Sequence, residues 1–397
     1  MPATNTLLTI SMITAKALAI LHQKCNFIGS INREYDDSFA NSGAKIGTTL
    51  RIRLPVQYTT STTPALSLQN TIETQVSLPI TNQYHVDFSF SSAELTLSID
   101  DFSARYIEPA IAQLAASIES VVLNSLWPTV YNQVGTAGVA MPFKTVLQAR
   151  KVMLDGLTPQ SKQWQLRINT QDNVDMVDSL KGLFQQSTQI ARQYTDGVMG
   201  LSAGFEWAEN THLSTQTRGA ESATYLAAPA GQTGSTLAVT TGTGAGNAGD
   251  VFTIAGVFKV HPETKVSTGV LQQFTLTAGY AGGAGNMAIA PAIVTSGPQQ
   301  NVSASPNGTT STLTFMNTAS TPAGISLAYH PDFATFATAD LILPGGVDMA
   351  SRAVKDGISM RAVRQYSISD DTMPIRIDVL FGWASLRPQL ACRLVAN

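Results

Sequence analysis

The sequence predicts an α+β fold carrying an inserted all-β domain, and three observations support it. Stretches of helical and of strand periodicity are mixed without the regular βαβ order of a parallel-sheet protein. A long excursion between Ala44 and Ile80 shows strand alternation on both limbs. Between Ala228 and His330 the only charged residues are Asp250, Lys259, Glu263 and Lys265, and Gly, Ala and Thr dominate. The chain has 397 residues, more than the ~250–300 one core usually spans, so several domains are expected. A 44% hydrophobic content excludes intrinsic disorder. The 13% of charged residues is about half the ~25% of ordinary soluble domains. Burial of much of the surface against other copies of the chain would explain that deficit. With a net charge of −3, no broad basic face is on offer to nucleic acid.

The elements follow in order. Residues 1–42 form an N-terminal arm in which Ile10, Ile13, Ala17 and Ile20/Leu21 share one helical face. Lys16 interrupts the apolar run from Thr6 to Leu21 and no basic stretch precedes it, the reverse of a signal peptide. No uninterrupted apolar run reaches the ~18 residues of a membrane span. Residues 43–82 read as a hairpin. Leu50, Ile52 and Leu54 alternate with Arg51 and Arg53, Pro55 stops the strand, Thr59–Thr63 make a polar tip, and Ile72–Val76 return. Such a hairpin is not stable alone in water and must lie on something.

Residues 83–160 open with a strand at Tyr84–Phe90, and Ser98–Asp101 offer a helix cap. Pro109 suits a first helical turn. Ile111, Leu114, Ala115, Ile118, Val122 and Leu126 then repeat at helical spacing towards Tyr131, about 30–35 Å of helix. Phe143–Leu154 is a second helix, stopped by Asp155-Gly156. In residues 161–226 a strand at Trp164–Asn169 precedes a helix from Asp172 to Phe184. Residues 227–324 carry short β runs at Leu237–Val239, Val251–Ile254, Phe274–Leu276, Ile289–Val294 and Leu313–Phe315, separated by Gly/Pro turns, as in a small barrel or sandwich. Insertion is tolerated where the two ends of a loop lie close together. The host resumes over 325–397, with regular signals at Tyr329–Leu341 and Ile375–Trp383.

The catalytic motifs fail on context. Gly200-Leu-Ser-Ala-Gly204 matches G-x-S-x-G but lacks the strand before and the helix after that expose a nucleophile, so a glycine turn is expected. Gly244–Gly249 matches G-x-G-x-x-G but leads into a strand pattern at Val251, which leaves no helix N-terminus for a pyrophosphate. His22, His85, His212, His261 and His330 show no i, i+4 pair. Cys25 and Cys392 lie near opposite ends and read as buried free thiols. Asp36-Asp37, Asp100-Asp101 and Asp370-Asp371 are sequence neighbours that suit turns and caps. No enzyme, cofactor or metal is expected. Arg51 and Arg53 are either a solvated strand face or partners of carboxylates on a neighbouring subunit. Arg361, Arg364, Arg376, Arg387 and Arg393 are candidates for a weak, sequence-blind contact with nucleic acid.

Five stretches, in this order, resemble one family. Gly47–Pro55 opens the hairpin, Asp100–Pro109 leads into the long helix, and Gly204–Glu209 looks like an apical strand. Leu327–Phe333 resembles the return from an insert, and Phe381–Pro388 a last strand. Together they resemble the Hong-Kong-97-type major capsid protein of tailed phages, nearest to the coat protein type of the short-tailed Salmonella phage. The resemblance implies an N-arm, an E-loop hairpin, a spine helix, a P-domain, an A-domain and an inserted β domain. It implies a virion coat assembled in the host bacterial cytoplasm from hexamers and pentamers, first as a scaffold-templated procapsid that expands as DNA is packed. Its partners would be its own copies, a scaffolding protein, a portal, packaged double-stranded DNA held non-specifically and a decoration protein, with no membrane. The arm and hairpin would cross neighbouring subunits, with Arg51, Arg53, Tyr58 and Glu73 as contacts. Lys45 sits at the hairpin's base rather than its tip, so the family's cross-link is not expected. Two other readings compete: a secreted or surface β-rich binding protein, which would need an export signal, and a hydrolase acting through Ser202.

Overall fold

The computed structural model describes residues 14, 17, 19, 21, 25–33, 49–61, 64–66, 68–70, 73–91, 107–180, 200–222, 224–355 and 358–397. They divide into two compact units, one of Met1–Ile52, Gln75–Val122 and Ala334–Ala384, the other of Arg53–Thr74, Leu123–Phe333 and Ser385–Asn397.

The first unit is organised by the strand Thr372–Ser385. Its residues Ile375–Asp378 pair with Ile358–Arg364 on one edge and, within a ten-residue antiparallel register, with Asn82–Ser91 on the other. Met349–Lys355 continues the sheet beyond Ile358–Arg364, and Ala334–Ala339 also pairs with the long strand. Alternation sends Ile375, Ile377, Val379 and Phe381 into the core. There Phe381 stacks on Phe336 at 5.7 Å and meets the edge of Tyr84 at 5.2 Å.

The helix Glu108–Leu126 buries the predicted stripe of Ile111, Leu114, Ala115, Ile118, Val122 and Leu126. It ends before Tyr131 because Pro128 cannot donate to the helical ladder, and Trp127–Thr129 turn as a 3₁₀ segment. At ~1.5 Å per residue it is about 28 Å long. By length and apolarity alone, Glu108–Thr129 could cross a membrane, yet half of it is buried within the chain. Glu119 in its middle is buried and accepts the Phe27 amide at 3.1 Å. Of the predicted arm face, Ala17 and Leu21 are helical and buried; Ile10, Ile13 and Ile20 lie outside the described residues, as do Lys45, His22 and the Ser98–Asp101 cap.

The excursion is paired only at its root, where Thr49–Arg53 and Gln75–Pro79 form a two-stranded sheet. The outbound strand stops ahead of Pro55, as expected. The return strand is Gln75–Pro79, Ile72 lies outside the described residues, and the Leu54 amide donates to Thr74 O at 2.9 Å. Gly382 is needed at this root, because a Cβ there would lie 2.0 Å from Pro79 O.

In the second unit a seven-stranded sheet runs in the order Gln133–Gly135, Ala391–Val395, Pro322–Tyr329, Trp164–Ile168, Phe205–Glu209, Leu201–Ser202, with Thr215–Thr217 added on Pro322–Gly324. Both Trp164–Ile168 and Ala391–Val395 are buried throughout. Val146, Ala149 and Met153 of the helix Phe143–Asp155 share a core with Trp164, Leu166, Phe205, Cys392 and Leu394. Trp164–Ile168 and Phe205–Glu209 pair in parallel across the helix Thr170–Leu180, one local βαβ unit within an otherwise mixed order. One expectation is corrected. The strand containing Phe381 is not the last one. Pro388–Leu390 turn the chain, and the short apolar Ala391–Val395 returns to the sheet interior.

All five β runs of the insert are strands: Gly234–Val239, Val251–Val260, Ser267–Leu276, Gly285–Ile293 and Leu313–Phe315, joined in one antiparallel sheet. Its core includes Leu237, Phe252, Phe274, Met287, Ile289, Leu313 and Phe315.

The helix Thr170–Leu180 is tied to the large sheet by Asp172, whose carboxylate accepts from Ser326 Oγ at 2.5 Å. Burial, together with nearby Asp175, pushes the Asp172 carboxyl up to about 6, against the lowering effect of Ser326. The folded state therefore holds this proton more tightly than the unfolded chain, so stability is lost as pH rises from about 4 to 6 and stays lost above. Asp172→Asn should raise stability at pH 8 by about 2–3 kcal/mol and give no gain near pH 4, read from urea titrations at both values. Gly382→Ala should cost about 2–4 kcal/mol through the clash with Pro79, seen as a lower urea midpoint with an unchanged slope.

Candidate assembly surfaces

The excursion presents side chains with no core beneath them. Ile52 is its inward anchor, while Arg51 and Arg53 point out. Tyr58 is 63% exposed, and Leu66 and Leu68 are 86% and 87% exposed. Among the described residues the two limbs are joined by polar contacts: the Thr59 amide donates to Gln69 Oε1 at 2.9 Å, and Gln69 Nε2 donates back to Thr59 O. The structure brings two of the four predicted contact residues together, Arg53 and Glu73, at 3.5 Å. Both are mostly exposed, so solvent screening leaves little stabilisation in that pair. Leu66 and Leu68 were not singled out by sequence reasoning. Their signal was two leucines at period 2 in an otherwise polar tip.

The other arrangement is a buried polar seam. Thr215–Thr217 and Pro322–Gly324, which flank the five-stranded β segment in sequence, pair with each other, Gln216 opposite Ala323, and form a neck. Arg393 is fully buried and donates to Gln216 Oε1 at 3.1 Å, Gly249 O at 2.7 Å and Thr275 Oγ1 at 3.3 Å, with its guanidinium 5.5 Å from the centre of the Trp127 ring. Gln216 Nε2 donates to Asp250 at 2.9 Å, and Asp250 also accepts the amides of Gly219 and Asn247. Glu221 beside it is pushed up to about 8 by burial and by the Asp250 carboxylate, against the opposing pull of Arg218. Glu221 is thus protonated at neutral pH, and one negative charge, not two, sits in the seam.

The comparisons with known proteins bear on this arrangement of arm, long helix and β segment. The profile of the P22 coat protein (gene protein 5) matches residues 3–394. The chain belongs to the P22 coat protein family. It is a major capsid protein, of Hong-Kong-97-like α+β fold, that forms the shell of a phage head. No curated protein matches it in sequence. Among solved structures it is similar to that of Mycobacterium phage Che8, at 13% identity and TM-score 0.47 over 92% of this chain and 89% of that one. It is similar also to the capsid of Ralstonia phage GP4, at 8% identity and TM-score 0.47 over 94% and 92%. A third is the cyanophage P-SCSP1u capsid, at 9% and 0.46 over 88% and 84%.

For this coat protein the C-terminal arginines are not a DNA-facing row. Arg361 and Arg376 both donate to the buried Asp378, at 2.5 and 3.2 Å, Arg364 meets Asp348 at 2.9 Å, and Arg393 is the seam residue. Arg387 and Arg393 are the two of the five with no salt bridge to a carboxylate among the described residues. Ser202 lies in a hairpin whose turn, Ala203-Gly204, has φ of +52° and +81°. Its carbonyl accepts from Trp207 Nε1 at 2.9 Å. The glycines of Gly244–Gly249 precede a strand, as expected. His330 is buried, its Nδ1 accepts the Asp332 amide at 3.1 Å, and desolvation lowers its pKa. Both thiols are buried and free, with Cys392 pushed up to about 12 by desolvation, so neither is a thiolate at neutral pH. Asp378→Ala should cost about 1–3 kcal/mol, because it removes the buried acceptor of the partly exposed Arg361 and Arg376 and of the Gln83 amide. Loss of soluble coat protein against an unaffected Arg53→Ala control checks it.

Proposed function

We propose that copies of this coat protein close into an icosahedral head of hexamers and pentamers around double-stranded DNA. In this reading residues 43–82 are an E-loop lying on a neighbouring subunit. The observation that supports it is the exposure of Leu66 and Leu68 on an arm whose limbs are joined by polar contacts among the described residues. Apolar side chains there gain free energy only when another surface covers them. Arg51, Arg53, Tyr58 and Glu73 frame the same contact, and Glu73 would exchange or share its own-chain arginine with the neighbour's. Residues 1–42 act as the arm, 83–160 as the P-domain with its spine helix, 161–226 and 325–397 as the A-domain and closing P-domain segment, and 227–324 as an inserted β domain.

The role is structural and not enzymatic, a reading supported by membership of a coat protein family. Assembly takes place in the host bacterial cytoplasm, with a scaffolding protein and a portal as partners, DNA held without sequence preference, and a decoration protein added from outside.

The test is coexpression with the neighbouring assembly genes, followed by negative-stain microscopy. Leu66→Ser/Leu68→Ser should leave a folded, soluble subunit and reduce closed shells at least tenfold. Shells of normal yield and diameter from that variant would overturn the E-loop reading.

A further inference from the structure

The insert carries a complete core of its own. The residues of that cluster run from Tyr225 to Phe315, and none comes from the large sheet. Its contacts with that sheet are polar. Gln273 uses its side-chain amide as a strand would use its backbone, accepting the Gln133 amide at 2.7 Å and donating to Gln133 O at 2.9 Å. Gln133 Nε2 donates to Asn317 at 3.1 Å, and Thr275 Oγ1 donates to Pro128 O at 3.3 Å. The charged centre of this seam is supplied by the far end of the chain. Cys392 and Leu394 enter the helix-packed core, so strand alternation turns Arg393 to the opposite face, against Gly249 and Thr275.

Burying a guanidinium is costly, and an apolar side chain of similar volume in its place is often neutral or stabilising. Arg393 is also imperfectly satisfied, since its Nε has no partner among the described residues. A residue kept under those conditions contributes direction more than stability. Its donors point at three separate pieces of chain: the neck through Gln216, the turn before Val251 through Gly249, and the strand Ser267–Leu276 through Thr275. Gln216 in turn holds Asp250, which gathers the Gly219 and Asn247 amides.

We propose that Arg393, Gln216 and Asp250 form a latch that fixes the attitude of the β insert on the large sheet and closes only once Ala391–Val395 is in place. The β segment packs on its own core, and Ala391–Val395 then locks it through Arg393. This rests on reading 227–324 as an inserted domain.

Hydrogen exchange on the full-length, unassembled subunit tests it, comparing wild type with Arg393→Met. The Gly219 and Asn247 amides, which report on Asp250, should exchange at least tenfold faster in the variant. The Phe252, Phe274 and Met287 amides of the insert core should keep their protection. An unchanged neck, or a parallel loss of protection in the insert core, would overturn the latch. Should Arg393→Met not fold, Gln216→Leu removes the relay while leaving the bonds of Arg393 to Gly249 and Thr275, and the same comparison applies. In the wild type, exchange of the insert core in the same opening event as Trp164–Ile168 would sink the inserted-domain reading and the latch together. Separate events with an unresponsive neck would sink the latch alone.

Discussion

The first unit depends on one long-range pairing, ten residues of Asn82–Ser91 against Thr372–Phe381. Nearly three hundred residues separate the two strands, so the loop must close before any of its contacts reward the closure. Much else is fastened to that strand. Its apolar face supplies the core with Ile375, Ile377, Val379 and Phe381. Its one buried carboxylate, Asp378, collects Arg361, Arg376 and Gln83 from the strand itself and its two neighbours. Gly382, one residue past the pairing, leaves the space through which the root of the excursion passes at Pro79. A subunit that fails to make this pairing has no fixed root for its arm. The geometry of that root is therefore set by a strand far from it in sequence.

The second unit meets the same topological problem with the opposite chemistry. Its five-stranded β segment is flanked by Thr215–Thr217 and Pro322–Gly324, which pair with each other, so the two ends of that segment lie close together. Across the seam, packing is exchanged for directed hydrogen bonds among Gln133, Gln273, Gln216, Asp250 and Arg393. Apolar surfaces are indifferent to small rotations, whereas a guanidinium with three acceptors is not. The neutral form of Glu221 matters here, since a second carboxylate beside Asp250 would repel it in a site with little solvent.

Legibility in the sequence followed periodicity. The spine helix was readable because its stripe is long and its last turn is closed by a proline, and the insert's strands because turns punctuate them. Gly156 marked the end of Phe143–Asp155 correctly. Ala334–Ala339 lies within the Tyr329–Leu341 signal, but all six residues are buried and carry no alternation, so the type of element was not readable there. Met349–Lys355 and Ala391–Val395 are short and mixed in character, and pairing partners far away in sequence decide their state. The arginines were the clearest failure. Five basic residues near one end suggest a charged face, but strand alternation and distant carboxylates distribute them to different environments. Nothing local to Asp378 or Asp250 announces those assignments. The excursion was legible as a hairpin, though its apolar tip was discounted as part of a polar loop.

Charge itself gives the last link between fold and shell. The chain has 24 basic and 27 acidic residues, already few for its length. Of these, Arg167, Arg393, Glu119, Asp172, Glu221, Asp250, Asp340 and Asp378 are buried within the subunit. Even so, charged residues remain sparse on the surface left to meet other subunits. Such a surface opposes close approach of identical copies only weakly, because both repulsion and the desolvation of ions are reduced. It also gives little electrostatic steering, so which surfaces meet must be set by shape and by apolar groups such as Leu66 and Leu68. Spending charges inside each subunit, where they fix the angles of strands and insert, leaves the outside free to pack. For a protein whose product is a closed shell, accurate angles within the subunit and permissive contacts between subunits are complementary requirements, and one small set of charges serves both.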